Sequence, residues 1–544
     1  MADFCLEVDG RVAVGGGSGE AVGPWLGVAD ARFRSDLPVD ASGVQHLLAA
    51  YLSKGAAECS RVAHDFCAVF WNTEERRLVA IRGPLGGRTL YYRSGDPLWL
   101  SNHIRRLRQL PGVGTEVDPL AVAAALVGGG LRTAEPSRTM FKDLRQLPPG
   151  HLLLFDGQQT RIQSYWSPAD FRWHRPLRRG ELPELESRFR DLFTCAVEDC
   201  LTQDTQVGFH LSGGLDSTSV ACLAARQRPE RKFPCFTYLP PEDCQAPAPP
   251  GRSYRDEPFI DAVLVQYPNL KIEYVRDPGD PLAAIDDQWH ALTGEPARHL
   301  FGGWGEKIAA RAVETGLTVL IGGRGGNLLF SSSGLPKTNW KKRLATSLGL
   351  RRGSAVRKAD LALRPERARE LELEKRLRAI DQSPRGRFLR IYLRGKVGAL
   401  HNYWRGRFGL EELDPTTDLR MVEFCLQAPR EFFAREGQKR RAVRDSLRGI
   451  VPDLVLDRST VGMQDVGWQA RLRGCAPALR GELERLTNSQ LCNHFIDWDQ
   501  VRPLFHHLPA DDDFSAGAYH LALKVLVRTI LVGRFLEWVE AGKA

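Results

Sequence analysis

The segment Phe209-His210-Leu211-Ser212-Gly213-Gly214-Leu215-Asp216-Ser217-Thr218 constrains this chain more than any other. An apolar run enters a Ser-Gly-Gly turn, and the amphipathic run STSVACLAARQ follows at once. The spacing predicts a strand, a tight turn and a helix that begins near Asp216. Glycines let the backbone turn sharply and approach a ligand closely. The N–H groups at such a turn and helix start converge on one spot, which suits a pyrophosphate. Ser212, Ser217 and Thr218 add hydroxyl donors, while Asp216 would repel phosphate unless Mg2+ lies between them. An Asp/Ser-capped strand–turn–helix accounts for Ser-Gly-Gly alone, but not for the whole of SGGLDS.

The surrounding texture fits. KFPCFTYL, KIEYV and LTVLIGG read as strands, interleaved with helical runs such as FIDAVLVQYP, and alternation of this kind argues for a parallel α/β sheet. Residues 1 to about 166 read differently. DFCAVFWN, RLVAIRG, TLYYRS and LWLSNH are short apolar or alternating runs separated by turn signals, as in hairpins. A Pro- and Arg-rich stretch, 167–182, reads as a linker, and residues 183–544 form the second unit. From about Gly386 onward the chain reads mostly as helix.

Charge narrows the function classes. The formal net charge is +9, but Lys337–Lys396 alone holds 19 basic and 6 acidic residues, a net of +13. The remainder is therefore slightly acidic. The stretch reads either as a solvated helical excursion, with Leu371, Leu373 and Leu377 too few for a deep core, or as a cover that attracts an acidic peptide. No nucleic-acid signature accompanies it, so no nucleic-acid partner is expected. The 11 cysteines show no metal spacing, which suggests reduced thiols. No unbroken run of about 18 apolar residues and no signal-peptide pattern are present, so no membrane span and a cytoplasmic location are expected.

SGGLDS resembles the pyrophosphate loop of the N-type ATP pyrophosphatases. HDFCAVFWN, LVAIRGPLGGRTLYY, LPPGHLLLFDG, DPTTDLRMVEFCLQAPREFF and VPDLVLDRSTVGMQDVGW extend the resemblance to the asparagine synthetase superfamily over nearly the whole chain, outside 337–396. It implies an α/β fold: an N-terminal amidotransferase-like (Ntn-type) β-sandwich, then an ATP-pyrophosphatase-type parallel α/β synthetase domain with helical additions. It also implies ATP and Mg2+ as cofactors. The loop Leu211, Ser212, Gly213, Gly214, Leu215, Asp216, Ser217 and Thr218 would hold the phosphates, with Gly323 beside it. Thr237 and Tyr238 would lie by the adenine.

Two departures refine the expectation. Glutamine-using relatives carry a cysteine directly after the initiator Met, and here position 2 is Ala2, so a glutaminase activity is not expected. Where the family has Gly-Glu-Gly-x-Asp-Glu, this chain has Gly323-Arg324-Gly325-Gly326-Asn327-Leu328. Asn327 keeps an oxygen ligand for the metal alongside Asp216, and Arg324 adds a cation toward phosphate. The run GGNLLFSSSG resembles the variant of lasso-peptide cyclases. A lysine of the family is Thr460 here, which leaves Arg458 or Lys439 to supply its charge.

The resemblance thus implies an ATP-dependent macrolactam synthetase that adenylates an Asp or Glu side chain of a precursor peptide and joins it to the N-terminal amine. Its implied partners are that peptide, a leader-binding protein and a leader peptidase. A β-lactam-synthetase-like or asparagine-synthetase-like ligase and a non-catalytic maturation scaffold are the alternatives. Asp256-Glu257 and Ser331–Ser333 are further candidates for the cavity. His210 reads as a strand residue without catalytic role, and His506-His507 as no metal site.

Overall fold

The strand Ala63–Asn72 shows how the first half is built. Side chains alternate across a strand, yet this one is apolar on both faces. Cys67, Val69 and Trp71 enter one core, which also takes Phe4, Leu6, Leu98 and Leu100. Phe66, Ala68 and Phe70 enter another, against the helices Gly43–Lys54 and Ala56–Val62. The strand lies in a six-stranded antiparallel sheet that faces a five-stranded antiparallel one. The outer face of the smaller sheet, through Tyr91 and Trp99, meets the helix Pro119–Val127. The half is therefore a two-sheet sandwich with helices on both outer faces. This computed structural model describes residues 3–8, 12–15, 19–34, 41–128, 135–172, 175–201, 206–242, 244–276, 286–297, 303–330, 362–380, 396–463 and 466–544.

After a 3-10 turn at Pro168–Asp170 and the helix Leu182–Leu201, the second half forms a five-stranded parallel sheet. Its order is Leu270–Val275, Phe233–Tyr238, Val207–His210, Val319–Ile321 and Glu411–Leu413. Phe233 and Cys235 point into one apolar layer, Phe236 and Tyr238 into the other. Burial on both faces explains why FPCFTY reads as a continuous apolar run. The fifth strand, Glu411–Leu413, lies in a region whose sequence reads as helix. Three residues are too few to show a period of two.

One core joins the two halves. It takes Ile104, Leu107, Phe141 and the helix Pro119–Val127 from the first half, and Leu479, Leu486, Phe535 and Leu536 from the C-terminal helices. Residues 362–380 of the basic stretch also reach it. Leu373 and Ile380 are buried there, and Leu371 and Leu377 pack against it. This corrects the reading of that segment as a solvated excursion: the short helices Pro365–Glu370 and Leu373–Ala379 are docked. Arg367, Lys375 and Arg378 pair with Glu370, Glu372 and Glu374 one helical turn away. The rest of 337–396, and Ser331–Ser333, lie outside the described residues.

The helical run Ala516–Glu540 is long and apolar enough to cross a membrane, and half of its apolar window is buried inside the protein. Lys524, Arg528 and Arg534 interrupt it, which is why no unbroken apolar run shows in the sequence.

Candidate active site

A cavity of about 1150 Å3 opens at the C-terminal ends of the parallel strands, the usual place for ligands in sheets of this kind. The loop after Val207–His210 forms part of its wall. Leu211 still donates across the sheet to the Phe236 carbonyl at 3.0 Å, and then the backbone turns. Gly213 has φ +64, and a Cβ there would sit 3.1 Å from the Asp256 carbonyl oxygen. The helix Leu215–Gln227 begins at Gly214, which offers no side-chain cap. Its first N–H groups are therefore available to an anion. The Ser212 and Ser217 hydroxyls lie 2.9 Å apart. The Thr218 hydroxyl is buried and has no hydrogen-bond partner among the described residues. Thr218, expected at the phosphates, does not line the cavity; the uncapped helix start and the paired hydroxyls of Ser212 and Ser217, which do, fit a polyphosphate.

Asp216, 7% exposed, sits in the first turn of that helix. Burial raises its carboxyl above the ordinary range, and the Arg440 guanidinium opposes this. Arg440 Nη1 donates to both Asp216 oxygens, at 3.1 and 3.0 Å, and Nη2 donates to Asn327 Oδ1. The two oxygen ligands expected for Mg2+ thus converge on one cation, a guanidinium. The donor set fits a divalent ion in its place.

The loop Gly323–Asn327 lies directly on the first helix. A Cβ at Gly323 would stand 2.7 Å from the Asp216 carbonyl carbon, and one at Gly326 would stand 2.6 Å from its carboxyl carbon. Gly325 N donates to Asp414 Oδ2 at 2.6 Å. Burial pushes the Asp414 carboxyl up to about 6.

Of the three cations expected here, Arg324 and Arg458 line the cavity, each paired with a carboxylate of the protein, and Lys439 does not line it. Arg324 is largely exposed and donates to Glu412 at 2.8 Å. Burial alone would raise Glu412, but the Arg324 guanidinium holds it below its ordinary value. Lys439 is exposed and does not line the cavity; its neighbour Arg440 does. The hairpin that carries them has strands of only two residues, Ala434–Arg435 and Gln438–Lys439, so its facing is invisible to periodicity. The dense cations of QKRRAVR were the available signal. Arg458 is buried in the wall. It donates to Asp256 at 2.7 Å, to the Gly213 carbonyl at 3.2 Å and to Thr460 at 3.1 Å, and stacks 4.0 Å over the Phe259 ring. Thr460 therefore orients Arg458. Asp256, raised by burial against the pull of Arg458, completes that brace.

Thr237 and Tyr238 line the cavity at the end of their strand. Tyr238 stacks on Trp304 with centroids 5.8 Å apart. Trp304 and Ile308, from the helix Gly303–Glu314, belong to the same wall and carried no sequence motif. His210 also faces the cavity, where burial lowers it to about 4 and keeps it neutral.

The halves meet beside this site. Arg88, buried in the first half, pairs with Asp30 at 3.1 Å and with Glu411 at 2.6 Å. His64 contacts Asp418 at 3.0 Å and Asp199 at 3.3 Å. Arg420 binds both carboxylates, at 2.8 and 2.6 Å, and Arg34 stands 3.6 and 3.8 Å from them. Two guanidiniums on one acidic pair make this a salt-bridge network and not a cation site.

A model of the asparagine synthase family matches residues 188–528, and a model of the glutamine amidotransferase domain matches residues 30–166. Asparagine synthetase (glutamine-hydrolyzing) 3 of Bacillus subtilis strain 168 is 24% identical over 427 residues, which cover 72% of this chain and 66% of that one. Asparagine synthetase (glutamine-hydrolyzing) 2 of the same strain is 25% identical over 200 residues, 36% of this chain and 26% of that one. Amidase chyE of Penicillium rubens is 26% identical over 317 residues, 54% and 43% of the two chains. The chain thus spans about two thirds or less of the length of each of these relatives.

Proposed function

The chain belongs to the asparagine synthase family, and from that premise we propose that it is an ATP-dependent, AMP-forming ligase that closes lasso peptides. One observation carries the reading. The cavity, at about 1150 Å3, exceeds the roughly 1000 Å3 upper range of sites that enclose one small ligand. That leaves room for a second substrate beside a nucleotide, and in this reading the second substrate is the peptide.

The reaction follows from the residues in place. A side-chain carboxylate of the peptide attacks the α-phosphorus of ATP, and pyrophosphate leaves. The uncapped helix start, Ser212 and Ser217 hold that leaving group. Tyr238 and Trp304 supply a flat apolar wall for the base. The peptide's N-terminal amine then attacks the activated carbonyl. A C–N bond forms, the C–O bond to AMP breaks, and the amine loses its proton. Mg2+, held by Asp216 and Asn327, would neutralise phosphate charge. Arg440, released from those two side chains, keeps its charge at the same end of the cavity. Arg458 and Thr460 fix the Gly213 turn. A precursor peptide, a leader-binding protein and a leader peptidase are the partners of this reading, and the cytoplasm its compartment.

The test supplies ATP, Mg2+ and candidate precursor peptides and measures AMP, pyrophosphate and peptide mass. Peptide-dependent AMP with a product one water lighter is the expected result. The relatives named asparagine synthetases favour a second reading, amidation of a small acidic substrate. AMP formation with aspartate and ammonia, and none with any peptide, would replace the first reading with the second.

A further inference from the structure

Six arginines lie between positions 435 and 458. Five of them meet an acid. Arg440 holds Asp216, Arg458 holds Asp256, Arg435 and Arg441 share Asp445, and Arg448 spans Asp453 and Asp457. Arg444 is the exception. Among the described residues it forms no ion pair, although it is half-buried and lines the cavity. The two acids whose charge acts on it, Asp457 and Asp445, are engaged by other arginines.

Its position is fixed at the phosphate end. Arg440 and Arg444 stand four residues apart at the helix Arg441–Ser446, so their side chains are neighbours. Arg440 reaches Asp216 in the first turn of the phosphate-loop helix. Arg444 Nη2 donates to the Arg458 carbonyl at 2.9 Å, and the Arg458 side chain in turn holds the Gly213 carbonyl at 3.2 Å. That bond leaves Arg444 Nε and Nη1 with no partner among the described residues. Burial pulls the guanidinium below its ordinary value, Asp457 opposes this and Arg440 adds to it. A guanidinium stays charged all the same. Charges taken out of water are ordinarily paired, and this one is held beside the glycine turn without an acid of the protein. The arrangement leaves a place for an anion from outside.

We propose that Arg444 is the cation that receives the departing pyrophosphate. The assignment rests on the adenylating reading above and adds to it a contact with the leaving group. As the carboxylate oxygen bonds to the α-phosphorus, the bond from that phosphorus to the bridging oxygen breaks, and its electron pair leaves on pyrophosphate. Pyrophosphate stays net negative even as its magnesium complex. The planar guanidinium, with two N–H faces free of the protein, suits phosphate oxygens. Ser212, Ser217 and the helix start offer dipoles at this end, and Arg444 offers a whole charge that no protein acid has claimed.

The experiment titrates the full chain with magnesium pyrophosphate and, separately, with AMP, by calorimetry. Arg444→Gln should weaken pyrophosphate binding roughly tenfold to a hundredfold, the scale of hydrogen bonds to a charged group, and should change AMP binding little. Arg444→Lys, which keeps the charge and loses the fork, should recover part of the loss. Arg252 is the control for bulk charge. It also lines the cavity and forms no ion pair among the described residues, but it is exposed. Arg252→Gln should bind pyrophosphate as the wild type does. Melting curves check that each variant is folded. A wild type that does not bind magnesium pyrophosphate overturns the assignment, as does a folded Arg444→Gln protein with unchanged affinity. An equal loss in Arg252→Gln, or a loss of AMP binding as large as that of pyrophosphate, also overturns it. If the variants behave as expected while the wild type forms no AMP with any peptide, the contact stands and the proposed peptide reaction falls.

Discussion

Replacing Arg440 by methionine tests the centre of the site. Arg440 has φ +61, a backbone cost that methionine shares, so the comparison isolates the guanidinium. Its loss removes two hydrogen bonds to Asp216 and one to Asn327. Asp216 would then be a buried carboxylate without its counter-ion. Removing one partner of a buried pair costs about 3–5 kcal/mol. Arg440 borders the cavity with its side chain 21% exposed, so we expect the low end, about 3 kcal/mol. The sign of the pH dependence follows. Burial already raises Asp216, so its ionised form opposes folding, and Arg440 offsets this. Without Arg440 the carboxyl rises further. The deficit should be largest at pH 8 and shrink as pH falls through the raised folded-state values, below which the carboxyl is protonated in both folded proteins. Urea unfolding of both proteins from pH 5 to pH 8 measures this. Mg2+ should raise the variant's melting temperature more than the wild type's, because the metal no longer competes with a guanidinium. Equal stability at pH 8, or a deficit independent of pH, would show that Asp216 does not depend on Arg440.

Other expectations follow from the same contacts. Gly326→Ala places a methyl group against the Asp216 carboxyl and should lower AMP formation at least tenfold with little change in far-UV circular dichroism. Arg458→Met should cost about 3 kcal/mol and weaken nucleotide binding, whereas Thr460→Val, which loses one bond to Arg458, should cost about 1 kcal/mol, both by urea unfolding. Burial works against ionised Asp418, yet bonds from His64 and Arg420 hold its carboxyl well below the usual range. Its contribution to stability is present above the ordinary carboxylate value and is lost as pH falls. Asp418→Asn should therefore destabilise at pH 7 and converge with the wild type in strong acid, as read by melting curves.

The phosphate-type loop was legible because strand, glycines and helix register in ten contiguous residues. The β-rich first half and the parallel sheet were legible through runs such as AHDFCAVFWN and FPCFTY, whose burial on both faces is written as unbroken apolarity. What stayed hidden was short or distant. A three-residue strand has no periodicity to read. Shifting a hairpin by one residue exchanges its faces, so Lys439 and Arg440 could not be told apart. Arg458 is a cation near the site, as the sequence suggested. Only its contacts with Asp256, Gly213 and Thr460 reveal that it braces the wall. The docking of Leu373 escaped notice because charged neighbours mask a side chain whose core is completed by the distant C-terminal helices.

The strand Glu411–Leu413 and the aspartate after it carry three acids with three destinations: Glu411 to Arg88 of the first half, Glu412 to Arg324, and Asp414 to the Gly325 amide. One sheet edge is thus a shared abutment. Trimming the chain to its second half would leave Glu411 without its Arg88 partner three residues from the acid that fixes the glycine loop. An amidotransferase-like half can therefore become indispensable for mechanical reasons, whatever chemistry it performs. Functional dissection of this chain is better done by point substitution at Arg88 than by cutting the halves apart.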